Sequence, residues 1–112
     1  MLFKNLRCSA RIGKASGLID KKRYKEAKDI LYGIIEANPP EYMVALVRSS
    51  IGEVEFYLKN YEEALPHLEF CIEDSVNNPE QWEADALVEE LERIHWFYKE
   101  CRKHAGHANK QT

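Results

Sequence analysis

The sequence predicts an all-α protein of about five antiparallel helices, and three observations lead to that class. Apolar residues recur at three- and four-residue steps through several separate stretches. Asparagines and prolines fall between those stretches, at Asn38-Pro39-Pro40 and at Asn77-Asn78-Pro79. One segment also comes close to repeating itself at an offset of 37 residues: Tyr24, Ala27 and Leu31 correspond to Tyr61, Ala64 and Leu68. Each copy carries a Lys two residues before the Tyr (Lys22, Lys59) and a small residue twelve before the Ala (Ala15, Gly52).

The elements follow in order. A weakly patterned first helix covers about 8–19. The second, over 23–37, puts Tyr24, Ala27, Ile30, Leu31, Ile34 and Ile35 on one face before Asn38-Pro39-Pro40 stops it. The third, over 41–58, does the same with Met43, Leu46, Val47, Ser50, Val54 and Tyr57. The fourth, over 61–75, aligns Tyr61, Ala64, Leu65, Leu68, Cys71 and Ile72, and Pro66 within it predicts a kink or a late start. From Pro79 the longest periodic stretch begins, with Leu87, Leu91, Ile94, Tyr98 and Cys101 on a stripe and Trp82, Val88, Trp96 and Phe97 adding apolar surface. This fifth helix, about 80–104, is expected to cap the domain. Residues 1–104 thus read as one domain and 105–112 as a disordered tail.

The repeated pattern has a physical meaning. A small residue in one helix lets the backbone of the next approach, the Ala sits opposite it, and the Tyr and Leu fill the space around the crossing. On these residues the chain resembles the tetratricopeptide repeat family, whose helix–turn–helix unit of roughly 34 residues carries a small/aromatic/Ala/large-apolar/Pro signature. Units at about 8–39 and 42–79 match it, with Pro39 twelve residues after Ala27. The resemblance implies a right-handed α-α superhelix whose concave groove is lined by the first helix of each unit. Carried onto this sequence, the groove positions are Ile12, Ser16, Ile19 and Asp20 from the first unit and Leu46, Ser49, Glu53, Phe56 and Tyr57 from the second. Chaperone-binding members of that family grip a carboxylate with Lys and Asn at such positions, and neither residue type stands at these positions here.

Composition narrows the function classes. With 45% hydrophobic and 31% charged residues in 112, the chain can fill one core and is not a disordered acidic tail. No apolar run is long enough to span a bilayer. The basic stretch at 1–19 has some of the character of a targeting segment, but the first helix needs the same residues, so the cytoplasm is the expected location. Cys8, Cys71 and Cys101 are odd in number and lack a disulfide spacing, which suits a reducing compartment and a core-filling role. Charge is uneven: residues 1–35 carry +6, residues 36–100 carry −12 and residues 101–112 carry +3. An acidic middle disfavours nucleic acid and favours a basic partner.

The residues offer little for catalysis. No phosphate-cradling Gly loop, G-x-S-x-G or H-E-x-x-H occurs. His67 and His95 fall at helix borders and read as structural. Cys101, His104 and His107 have a spacing that suits zinc, but a fourth ligand is missing. The expectation is therefore no enzyme, no cofactor and no metal. A protein–protein interaction module that binds a segment of one dedicated partner is expected. One alternative is an immunity- or antitoxin-type inhibitor of a basic toxin. Another is a homodimer paired through Trp82, Trp96 and Phe97, with Trp96 as the residue to test.

Overall fold

The computed structural model describes residues 2–110, with side chains described from residue 6 to residue 106. Among them are five α-helices: α1 (Leu2–Asp20), α2 (Tyr24–Glu36), α3 (Glu41–Tyr57), α4 (Tyr61–Asn77) and α5 (Asp85–Lys110). A 3-10 turn, Pro79–Trp82, precedes α5. No strand occurs among the described residues, and none of the helices is long and apolar enough to cross a membrane. Each helix packs against the next in sequence, and α3 additionally touches both α1 and α5. Connections of three or four residues between the first four helices reverse the chain each time, giving antiparallel neighbours.

The apolar stripes meet in two adjoining cores. Ala15, Ala27, Leu31, Ile34, Val47, Ile51 and Val54 fill the space between α1, α2 and α3. Ala64, Leu68, Cys71, Trp82, Ile94, Phe97 and Cys101 fill the space beyond it, where Ala45 and Phe56 of α3 also pack. All three cysteines are free and buried, as core filler. Burial pushes the Cys71 thiol up to about 12 and the Cys101 thiol up to about 11, so both stay protonated.

Several boundaries differ from the sequence reading. α1 begins at Leu2 and not near residue 8. Pro66 lies inside α4 without delaying its start at Tyr61; it has no N–H to give to the carbonyl of Glu62, four residues back. Pro79 opens the 3-10 turn, and α5 starts at Asp85, because Trp82 turns inward to donate its Nε1–H to Asp74 at 2.9 Å. At the far end, buried Cys101 and the stacking of His104 on Tyr61 at 4.3 Å tie α5 to α4. The helix consequently runs to Lys110, through most of the stretch expected as a tail, and residues 111–112 lie outside the described residues.

The near-repeat is a repeat in geometry as well. Lys22 and Lys59 both take left-handed φ values, 62° and 66°. In each turn the following N–H reaches back five residues, Arg23 to Leu18 at 2.8 Å and Asn60 to Glu55 at 2.8 Å. The lysine N–H reaches back three, to Ile19 and to Phe56, both at 2.9 Å. This is the Schellman helix end, built with Lys where Gly is usual.

The small-residue crossing is equally visible. Ala15, Ala27 and Ala64 are fully or almost fully buried, and Gly52 of α3 receives the side chain of Leu68 from α4. A Cβ on Gly52 would collide with that fully buried leucine, whereas a Cβ on Gly17 of α1 would meet nothing.

Two stability predictions follow from these contacts. Gly17→Ala is expected to raise stability by about 0.5–1 kcal/mol, the usual gain in a helix interior. Gly52→Ala is expected to lose about 1–3 kcal/mol by overpacking, and urea denaturation of the pair checks the difference in sign. Lys59→Gly should stabilise by about 0.5–1 kcal/mol through relief of the left-handed strain; an unchanged or lower denaturation midpoint would contradict that reading of the turn.

Candidate functional site

Three helices contribute to one groove. Ile12, Ser16, Ile19 and Asp20 of α1, Leu46, Ser50 and Glu53 of α3, and Ala86, Leu87, Glu90 and Arg93 of α5 line a cavity of about 370 Å³. Six of the nine expected groove positions, Ile12, Ser16, Ile19, Asp20, Leu46 and Glu53, are thereby brought together. The third wall is α5, which the sequence reading treated as a cap. The sequence reading has Leu87 on the capping stripe and assigns neither it nor Glu90 and Arg93 to the groove, because a helix's second neighbour is not written in its periodicity; only the i, i+3 pair Glu90/Arg93 hinted at a polar face.

A second cavity of about 380 Å³ continues the groove toward the start of α3. It shares Leu46, Leu87 and Glu90 with the first and adds Tyr42, Ala45, Ser49, Asp74, Gln81 and Trp82. Ser49 belongs to this part. It is almost fully buried, with its hydroxyl donating to the Leu46 carbonyl at 2.8 Å. Trp82 is held as a wall by its bond to Asp74, while Tyr42 and Leu46 remain exposed at the rim.

The groove is acidic. Asp20, Glu53, Asp74 and Glu90 line it against one cation, Arg93, a lining charge of −3. Arg93 pairs with Glu53 and with Glu90, each at 3.1 Å. Glu53 is nonetheless held above its ordinary value, because burial and the nearby Glu90 and Asp20 together outweigh what Arg93 gives back.

Phe56 and Tyr57 do not line these cavities. Phe56 is half-buried at the centre of an aromatic cluster, edge-on to Tyr57, Tyr61, Trp96 and Phe97 at 5.2–5.7 Å. Tyr57 stacks on Tyr24 at 4.8 Å. Of the three aromatics expected to pair two copies, Trp82 and Phe97 are 8% and 5% exposed, and Trp96 alone stands out at 52%. The face therefore differs from the one expected: Trp82 is spent on Asp74 and Phe97 on Phe56.

A different polar constellation lies inside the helix bundle. Glu55 is almost fully buried and accepts from Tyr32 Oη at 2.8 Å and from Asn60 Nδ2 at 2.9 Å, with Lys28 Nζ at 3.1 Å. Tyr32 Oη also lies 3.4 Å from His67 Nε2. Because Tyr32 gives its proton to Glu55, His67 Nε2 is the donor in that contact, leaving Nδ1 buried without a partner. Burial holds the imidazole below its ordinary value and neutral, with Arg48 adding to the effect. These side chains bond one another and line none of the cavities described above. Glu55 escaped the sequence reading because nothing local marks one glutamate in an acidic stretch as buried.

As for metal, no three His, Cys, Asp or Glu side chains among the described residues are placed to hold a metal ion together. Cys101 is buried and His104 stacks on Tyr61, while the His107 side chain lies outside the described residues.

The Glu55 geometry yields a prediction. Burial alone would raise its carboxyl, but the bonds from Asn60, Tyr32 and Lys28 outweigh burial and hold it below its ordinary value. A depressed carboxyl stabilises the fold above its unfolded value and loses that contribution as pH falls through the folded one. Glu55→Gln should therefore cost about 2–4 kcal/mol at neutral pH. That gap should stay constant down to about pH 5 and close below about pH 4. Urea titrations at a series of pH values measure it, and a gap that ignores pH would contradict the assignment.

Comparison with protein-family models, with curated proteins and with solved structures gives no match for this chain.

Proposed function

We propose that this protein is a protein–protein interaction module that holds a basic segment of one dedicated partner in the groove between α1, α3 and α5. The observation that carries the reading is the convergence of Ile12, Ile19, Leu46 and Leu87 with Asp20, Glu53 and Glu90 in one cleft. Apolar side chains supply burial to an incoming segment, and carboxylates at the same place select and steer a cationic one. The helix pairs would wind as in tetratricopeptide repeats, supported by the 37-residue repeat and by lysine-built turns at matching places. Three free buried thiols agree with a reducing compartment such as the cytoplasm. The groove offers an incoming segment apolar and acidic binding contacts.

A sharper form is an immunity- or antitoxin-type inhibitor of a basic toxin. The −12 of residues 36–100 favours it, since such a surface speeds encounter with a basic protein. A homodimer has less in its favour, with Trp96 as the exposed aromatic left from the expected face.

The test is capture of partners by the tagged protein, followed by binding of the purified partner to the parent and to Leu46→Arg. Leu46 is 44% exposed, so a charge there leaves the cores intact. The variant should bind about tenfold more weakly or worse, and parent affinity should fall with added salt. Equal binding by the variant would move the site away from the groove, and recovery of only a second copy of the chain would favour the homodimer.

A further inference from the structure

We propose that the groove reads its partner at two points: an apolar side chain seated over Leu46, Trp82 and Leu87, and a lysine or arginine seated among Asp20, Glu53 and Glu90, about 10 Å apart on an extended segment. This rests on the groove reading above and adds the chemistry and spacing of the occupant.

The two cavities divide the work by their linings. In the cavity of about 380 Å³, Leu46, Leu87, Ala45 and Trp82 supply apolar surface, with Tyr42 at the rim. Of its two acids, Glu90 is shared with the acidic cavity, and Asp74 is already occupied by Trp82 Nε1 and by Asn78 Nδ2, both at 2.9 Å, so Asp74 makes little demand on a ligand. This end suits an apolar side chain. In the cavity of about 370 Å³, Asp20, Glu53 and Glu90 surround a single Arg93. Arg93 is half-exposed and shared between two carboxylates, so it neutralises neither fully, and desolvated Glu53 gains most from another cation. That end suits a guanidinium or an ammonium.

Helix α3 sets the distance between them. Leu46 lies in both cavities and Glu53 in the acidic one alone, seven residues further along the same helix, a rise of about 10 Å. An extended segment places only side chains in the cavities. In the polyproline conformation, residues three apart return to the same side after about 9 Å, which matches the separation. The occupant is therefore an apolar residue followed, or preceded, by a basic residue with two residues between them.

A polyproline ruler tests this. Acetylated, amidated peptides carrying one Leu and one Arg, separated by none to five prolines, are titrated in both orders into the isotope-labelled protein and followed by amide chemical shifts. The expected result is shifts at Leu46, Ser50, Glu53 and Leu87 and tightest binding with two prolines, about fivefold or more over the neighbouring lengths. Replacing that peptide's Arg by Gln should weaken binding by a similar factor. Shifts at the groove with affinity indifferent to spacing would overturn the two-point inference and leave the groove reading standing. No shift in the groove with any peptide would overturn both.

Discussion

The buried carboxylate of Glu55 is the constraint on which the arrangement depends. It gathers Lys28 and Tyr32 from α2 and Asn60 from the start of α4, so one side chain of α3 fixes three helices. A charge cannot stay in such a place without full pairing, which makes the contact directional in a way that leucine packing is not. Its backbone carbonyl also accepts the Asn60 N–H, so side chain and main chain of one residue close the α3–α4 turn together. With Glu55 turned to α2 and α4, Glu53, two residues earlier, must face the other side, because successive helix positions differ by about 100°. The rotation that buries one glutamate delivers the other to the groove.

The groove depends on a second polar fastening. Trp82 comes from a turn and not from a helix, and such a segment would drift without an anchor. Asp74 supplies it by accepting the indole N–H, while also bonding Asn78 at the end of α4. The wall of the apolar cavity is thus set by a hydrogen bond, and α5 can start at Asp85 in position to present Leu87 and Glu90.

The other end of α5 shows how the same helix is held. Phe97 and Cys101 are buried in the second core, Phe56 sits edge-on to four aromatic rings, and Tyr61 stacks with His104. Aromatic pairs of this kind add about 0.5–1.5 kcal/mol beyond area burial. They explain why aromatic residues are so dense here without requiring a partner for each of them, and Trp96 is the ring left half outside. His67 is a converse case: its Nδ1 is buried without a partner, a cost accepted for its place beside Tyr32 and Arg48.

The sequence by itself determined the helices, their reversals and most of the core. Periodicity placed Ala27, Leu31 and Ile34 inside, the prolines and asparagines marked the chain breaks, and the 37-residue echo placed Ala64 and Leu68 in the same setting. The resemblance to tetratricopeptide repeats, carried onto this sequence, named six of the residues that line the groove between α1, α3 and α5. The tertiary structure alone decided the rest. It set Glu55 inside and Glu53 at the groove, because a carboxylate is buried only where donors from other helices converge, and no local pattern records that. It made α5 a wall of the groove, turned Trp82 and Phe97 inward, and moved Phe56 and Tyr57 to an aromatic cluster. A stripe tells which side of a helix is dry; which neighbour dries it depends on how several helices pack at once.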